Sequence, residues 1–179
     1  SLTKRFVHML NNMTLNGYID CLLHLPVNKK DNLVAPHKAV LLLTILELIK
    51  SGEIDRPFIP LTKSLEKAFK ATWNLYVKSS GSFKCALNYP FYHLSSSPFW
   101  TLVKLPSFEC RKEYSLSALK KSFAGAVIDE DLFQLMKDDA SRSVIENILI
   151  KTYLSSEYPT HSSANVVLST LAIFLLTVA

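Results

Sequence analysis

Residues 35–52 read Ala-Pro-His-Lys-Ala-Val-Leu-Leu-Leu-Thr-Ile-Leu-Glu-Leu-Ile-Lys-Ser-Gly. Pro36 suits the first position of a helix, because an amide there has no partner within the helix. A dense apolar run follows over Ala39–Ile49, and Ser51-Gly52 supplies a stop signal. The stretch therefore predicts a buried central helix that is too short to cross a bilayer.

The whole composition favours one compact domain. The chain has 179 residues, of which 49% are hydrophobic and 20% charged, and this excludes a disordered or collagen-like protein. Its three cysteines (Cys21, Cys85 and Cys110) are odd in number and widely spaced, which fits neither a disulfide framework nor a zinc site. We expect a cytoplasmic protein with one domain over residues 1–160. We expect the apolar tail, residues 161–179, to pack on the domain or to be truncated, and not to anchor it in a membrane.

Positive charge is concentrated in the first two-thirds of the chain. Residues 1–128 hold 17 Lys and Arg against 8 Asp and Glu, whereas residues 129–179 hold 3 against 7. A basic surface of this kind attracts a polyanion. Only four of the twenty cations are arginines, and because guanine reading favours arginine, few base-specific contacts are expected.

The remaining pattern predicts a mainly α (α+β) fold, a compact helical domain with a small antiparallel β-hairpin. The hairpin is predicted from Phe99–Lys104 and Phe108–Tyr114. A polar turn is expected at residues 26–32, and a loop rich in serine, flanked by Lys78 and Lys84, follows an amphipathic helix with a cationic stripe. The other predicted helices are Leu15–Leu25, 62–78, Ser115–Phe123, Asp129–Lys137 and Ser141–Leu154.

The familiar signatures of enzymes are missing from the sequence. It has no GxGxxG, GxxxxGK[ST], HExxH or GxSxG motif, and its histidines do not stand at metal-ligand spacing. We therefore expect no catalytic residue, no metal site and no cofactor in this chain.

Two short segments carry the strongest functional signal. Ala35–Lys38 places a histidine and a lysine where free amides and the positive end of a helix dipole favour a phosphate, although a plain helix start explains the segment equally well. Tyr89-Pro90-Phe91-Tyr92-His93-Leu94 reads as an aromatic surface loop that stacks bases or floors a pocket.

Together these residues resemble a known family over about residues 14–158. The matching positions are Ala35–Lys38, Leu41–Leu43, Leu46–Ile49, Phe69, Trp73, Tyr89–Leu94, Phe99-Trp100 and Leu154. The chain is similar to the sulfur-binding domain that reads phosphorothioated DNA and precedes the HNH nuclease in bacterial McrA-like type IV restriction endonucleases.

The resemblance implies a mechanism of binding. His37 and Lys38 would contact the DNA backbone, and Tyr89 and Pro90 would line a shallow apolar pocket for the non-bridging sulfur. Sulfur is a poorer hydrogen-bond acceptor than oxygen, so an apolar wall penalises it less. The chain departs from the family pattern at His93, where a small residue is usual, and at Ser95–Pro98, and its base-reading arginine matches Arg111 only loosely.

We therefore expect a reader of modified double-stranded DNA in a bacterial restriction or defence context. The expected DNA-binding residues are His37, Lys38, Lys78, Lys84 and Arg111, with Tyr89, Pro90 and His93 around the modified position. No HNH pattern follows residue 160, so a nuclease is expected in another domain or protein. The alternatives are a general DNA-binding domain without sulfur specificity and a protein-interaction or membrane-peripheral domain.

Overall fold

The computed structural model describes residues 15–30, 33–77, 82–106 and 115–154, which contain seven α-helices and two small sheets. In chain order the elements are α1 (Leu15–Leu23), β1 (Lys29–Lys30), β2 (Leu33–Val34), α2 (His37–Lys50), β3 (Phe58–Pro60), α3 (Lys63–Tyr76), α4 (Asn88–His93), a 3-10 turn (Leu94–Ser96), β4 (Trp100–Lys104), α5 (Leu116–Ser122), β5 (Phe123–Ile128), α6 (Glu130–Lys137) and α7 (Asp139–Tyr153). The predicted α-rich fold class is confirmed.

Helix α2 lies at the centre and is buried on almost every side. Eleven of its fourteen residues are buried, and α3, α4, α6 and α7 all pack against it. It begins at His37 and ends at Lys50. After the capping residue Ser51, Gly52 takes a positive φ of 79° and donates its amide to the Ile49 carbonyl at 3.0 Å. This left-handed conformation is one that glycine adopts without steric cost.

Two of the surrounding helices have well-defined side-chain caps. The Thr62 hydroxyl accepts the Leu65 amide at the start of α3, and the Asp138 carboxylate accepts the Ser141 amide at 2.9 Å at the start of α7. Each cap satisfies an amide that has no partner within its own helix. The bond to Ser141 also holds the pKa of Asp138 below its usual value.

Tyr153 fastens the last described helix to the first. Its hydroxyl accepts the Leu25 amide at 2.9 Å and donates to the Leu22 carbonyl at 2.7 Å. Burial raises the pKa of Tyr153 to about 12, so the phenol keeps its proton and this donor function throughout the neutral range. The hydroxyl thereby links the end of α1 to the end of α7.

The larger sheet has three antiparallel strands in the order β3-β5-β4. In the central strand, Phe123, Gly125, Ala126 and Ile128 are buried, while Ala124 and Val127 are exposed. Ala126 and Ile128, which are two residues apart and therefore on one face of the sheet, are fully buried and contribute to the core.

The predicted helices agree closely with those observed, but two other regions differ. Residues 89–93, predicted as a surface loop, lie in helix α4. That prediction was wrong because Pro90 is in the first turn, where a proline breaks no helical hydrogen bond, and Phe91 is fully buried. Residues 29–30, predicted within a turn, form a strand.

The predicted hairpin is confirmed in its first strand only. Strand β4 pairs with β5, which was not predicted, and Phe108–Tyr114 lies outside the described residues. The apolar tail, residues 161–179, also lies outside them. No helix in the described part of the chain is long and apolar enough to cross a membrane.

Substituting Gly125 by alanine tests the packing of the sheet. A Cβ there meets the Phe58 ring at 2.8 Å and also clashes with the Ile59 backbone carbonyl. We expect G125A to lower the free energy of unfolding by about 1–3 kcal/mol, measured by urea denaturation. The control is A124S at the neighbouring exposed position, with an expected change within about 0.5 kcal/mol. Equal effects of the two substitutions would contradict the described register.

Candidate functional site

Helix α4 is held against the sheet by its buried side. The indole Nε1 of Trp100 donates to the Phe91 carbonyl at 3.0 Å, and the two rings meet edge to face at 5.4 Å. The opposite side of the helix carries Tyr89, which is 54% exposed, and His93, which is also exposed and follows four residues later. Residues four apart lie on one helix face, so the sheet positions this exposed pair.

His37, the first residue of α2, joins three neighbouring segments. Its Nε2 lies 2.9 Å from the Lys84 carbonyl, and its ring centroid is 4.8 Å from that of Trp73 and 6.5 Å from that of Tyr89. Since a carbonyl only accepts, Nε2 carries the proton, and burial lowers the pKa of His37. The neutral ring therefore has an accepting Nδ1, and His37 donates to an anion through that atom only when it is protonated.

Lys38 is a buried cation at the start of the same helix. Lys38 is only 7% exposed, and its Nζ donates to the Ser96 hydroxyl at 3.4 Å. Ser96 in turn donates its own proton to the His93 carbonyl at 2.8 Å. Among the residues that the structure describes, Lys38 forms no ion pair with a carboxylate. Burial consequently lowers the pKa of this amine.

The Lys38 charge also acts on His93. Burial, followed by the nearby charge of Lys38, lowers the pKa of His93, so the imidazole is held toward its neutral form. The Tyr92 ring meets the His93 ring edge to face at 5.2 Å. The start of α2 and the end of α4 thus form one electropositive cluster, defined here as the α2–α4 site: His37, Lys38, Tyr89, Pro90, His93 and Ser96.

Further lysines lie along residues 82–85, the segment that contacts His37. Lys84 is exposed, and its backbone carbonyl contacts the His37 ring. From the β1–β2 hairpin, Lys30 Nζ lies 3.5 Å from the Ser82 carbonyl, and Lys70 on α3 is close enough to Cys85 to affect the pKa of that thiol. These three exposed lysines give the rim of the site a positive potential that favours anions.

The structure brings six of the eight predicted residues together. His37, Lys38, Lys84, Tyr89, Pro90 and His93 meet between α2, α4 and the segment after residue 82. Pro90 is buried, in contrast to Tyr89. Lys78 and Arg111 lie outside the described residues, so their placement stays a prediction.

Sequence reasoning missed two contributors. Ser96 links Lys38 to the end of α4, and Lys30 reaches the segment after residue 82 from the β1–β2 hairpin. In the sequence, Ser95–Pro98 stood out only as a departure from the family pattern. The partner of Lys38 depends on a tertiary contact across 58 positions. Among the described residues there is no cluster of three or more metal-ligating side chains.

Replacing Lys38 by methionine tests whether its buried charge destabilises the fold. In the folded protein the pKa of Lys38 lies below its usual value of 10.5. At a pH between the folded-state pKa and 10.5, the unfolded chain therefore binds more protons than the folded protein. The free energy of unfolding of the wild-type protein accordingly rises with pH in this range. We expect K38M to raise the unfolding free energy by about 1 kcal/mol or more at pH 7, and this advantage to shrink toward pH 10. Chemical denaturation at both pH values measures it, with exposed Lys151→Met as control. A less stable K38M protein at pH 7 would contradict the account.

Comparisons with known proteins add the fold relationship. No protein-family model and no curated protein matches the sequence. Among solved structures, the chain is similar to the sulfur-binding domain of ScoMcrA, which was determined in complex with phosphorothioated DNA. The TM-score is 0.61 at 16% identity, and the match covers 89% of this chain and 99% of the other. The chain thus has the fold of that sulfur-binding domain, as the motifs in its sequence indicated.

Proposed function

We propose that this domain binds double-stranded DNA and reads a phosphorothioate linkage in its backbone. The observation that carries the proposal is the buried Lys38 amine, which has a hydroxyl partner and, within the described residues, no carboxylate. A buried cation without a counter-charge is costly. A backbone phosphate or phosphorothioate seated against the start of α2 supplies the missing negative charge. The shared fold with a domain solved on phosphorothioated DNA supports the same ligand.

Affinity in this proposal comes chiefly from the lysines at the rim. Lys30, Lys70 and Lys84 lie at or beside residues 82–85, the segment that contacts His37, and Lys78 and Arg111 are further predicted contacts. Cations that neutralise phosphates release condensed counterions, so binding weakens steeply as salt concentration rises. Such contacts position the duplex and carry no sequence information.

Preference for sulfur in this proposal comes from Tyr89, whereas Pro90, the other predicted pocket residue, is buried in α4. A phosphate oxygen loses hydrogen bonds to water when it meets an apolar surface, whereas the larger and more polarisable sulfur loses less. The exposed Tyr89 ring provides such a surface. The stereochemistry of the linkage decides whether the sulfur or the oxygen faces this ring, so the two diastereomers should bind with different affinities.

We propose that this chain is a reader and that cleavage belongs to another domain or protein in a bacterial restriction or defence system. The similar solved domain is described as binding sulfur, and the α2–α4 site has no carboxylate among its six residues. The second candidate is general DNA binding without a sulfur preference. It is favoured by the polar groups of Lys38 and His93, which suit an oxygen as well as a sulfur.

Fluorescence polarisation with K38M tests the DNA-binding proposal. The probes are matched duplexes, one unmodified and two carrying a single phosphorothioate of defined stereochemistry, each at two salt concentrations. Loss of a hydrogen bond to a charged group costs about 1.5–3 kcal/mol, so we expect K38M to weaken binding about 10- to 100-fold and to reduce the salt slope by about one phosphate contact.

The matched control for this experiment is K151M, which removes one exposed lysine charge from α7. We expect it to change affinity by less than about twofold, because exposed charges act weakly at a distance. Tighter binding of one diastereomer by the wild-type protein supports sulfur reading. Equal binding of all three duplexes supports the general DNA binder, and absence of binding, or equal losses in K38M and K151M, overturns the proposal.

A further inference from the structure

A groove runs along the second half of α2, between α3 and α7, and has a volume of about 430 Å³. Its lining includes Leu43 and Leu46 of α2, which are buried, whereas Leu75 on the α3 side is 75% exposed. No other large hydrophobic side chain among the described residues is as exposed. Apolar surface that lies in a groove and is open to water is typical of a binding surface.

The charges that line this groove balance one another. Two lining residues are acidic, Glu47 and Glu146, and two are basic, Lys50 and Arg142. Lys50 Nζ lies 3.9 Å from the Glu47 carboxylate, and the Arg142 guanidinium donates to two backbone carbonyls at the end of α6, at 2.9 and 3.1 Å. A groove without net charge favours an uncharged apolar occupant over a polyanion such as DNA.

Residues 164–179 have the composition of such an occupant. Twelve of these sixteen residues are apolar, and none is charged. The other four stretches outside the described residues, 1–14, 31–32, 78–81 and 107–114, each contain at least one Asp, Glu, Lys or Arg. Because apolar surface is driven out of water, residues 164–179 gain the most from a groove lined by leucines.

The apolar segment can reach the groove from the end of α7. Glu146 precedes Tyr153, the last residue of α7, by seven positions, which is about 10 Å along the helix axis. Residues 155–163 connect Leu154 to the apolar segment, and a chain of this length can span up to about 30 Å. The connection is therefore long enough for the segment to return along α7 to the groove.

We propose that residues 164–179 bind in the groove between α2, α3 and α7 of their own chain and cover Leu75. The segment then shields the apolar surface of the groove and completes the packing around the second half of α2. The α2–α4 site, which includes His37 at the other end of this helix, stays open. The proposal does not depend on DNA binding.

Thiol labelling at position 75 tests this contact in the full chain. L75C keeps the position apolar, because a free cysteine behaves as a small hydrophobic side chain. N74C is the matched control, since Asn74 is exposed on the same helix and is not among the residues that line the groove. Peptide mass spectrometry separates the introduced thiols from the native cysteines. We expect a maleimide to label L75C at least about tenfold more slowly than N74C, which corresponds to coverage for about nine-tenths of the time.

A charged tail provides the second comparison. L171D/L175D places two charges in the apolar segment, and because burial of an unpaired charge is costly, we expect L75C to be labelled within about twofold of the N74C rate in this background. The native Cys21, which is half-buried against the core, is the folding control and should react at the same rate with and without the tail substitutions. If it reacts faster, the single substitution L171D replaces the double one.

Three results would overturn the proposal. The L75C thiol reacts as fast as that of N74C in the full chain, in which case the groove is open. The slowing persists in the charged-tail background, in which case another segment covers Leu75. The slowing grows with protein concentration, in which case a second copy supplies the tail. Slowing that is independent of concentration and is relieved by the charged tail supports the proposal.

Discussion

The burial of α2 on nearly all sides is the constraint on which the rest of the structure depends. A helix with eleven buried residues among fourteen needs neighbours all round, and α3, α4, α6 and α7 provide them. Its polar groups are then confined largely to its ends. His37 and Lys38, at the start of α2, lie next to α4. Helix α4 is itself bound to the sheet by the hydrogen bond from Trp100 of β4 to the Phe91 carbonyl. The α2–α4 site is thus a direct consequence of how the core is covered.

Lys38 lowers the stability of the fold but, in the proposed function, contributes to binding. An apolar side chain in its place would relieve the cost of a buried amine, yet the amine is what gives the site a charge for a phosphate in the proposed function. His37 has a different part: its ring joins α2 to Trp73, Tyr89 and the Lys84 carbonyl, which keeps the surrounding surface in place. Strained or costly groups of this kind are common where a protein binds its ligand.

The sequence is most informative where one periodic pattern dominates. The apolar run at residues 39–49 and the amphipathic pattern of α3 predicted both helices nearly to their ends. Strand β3 was missed because it has only three residues, and β5 because it is defined by pairing with β3 and β4, which are distant in the chain. For the site, local motifs identified the residues of α2 and α4. Ser96 was missed because its contact with Lys38 joins segments 58 residues apart.

In the proposed function, the start of α2 and the exposed side of α4 contact the DNA duplex. Amide chemical-shift mapping by NMR, with isotope-labelled protein titrated with a short duplex, measures this contact. We expect the largest shifts at His37, Lys38, Lys84, Tyr89 and His93. Residues lining the groove between α2, α3 and α7, such as Leu75 and Arg142, should stay nearly unchanged. Shifts concentrated in that groove, with the α2–α4 site unaffected, would contradict the account.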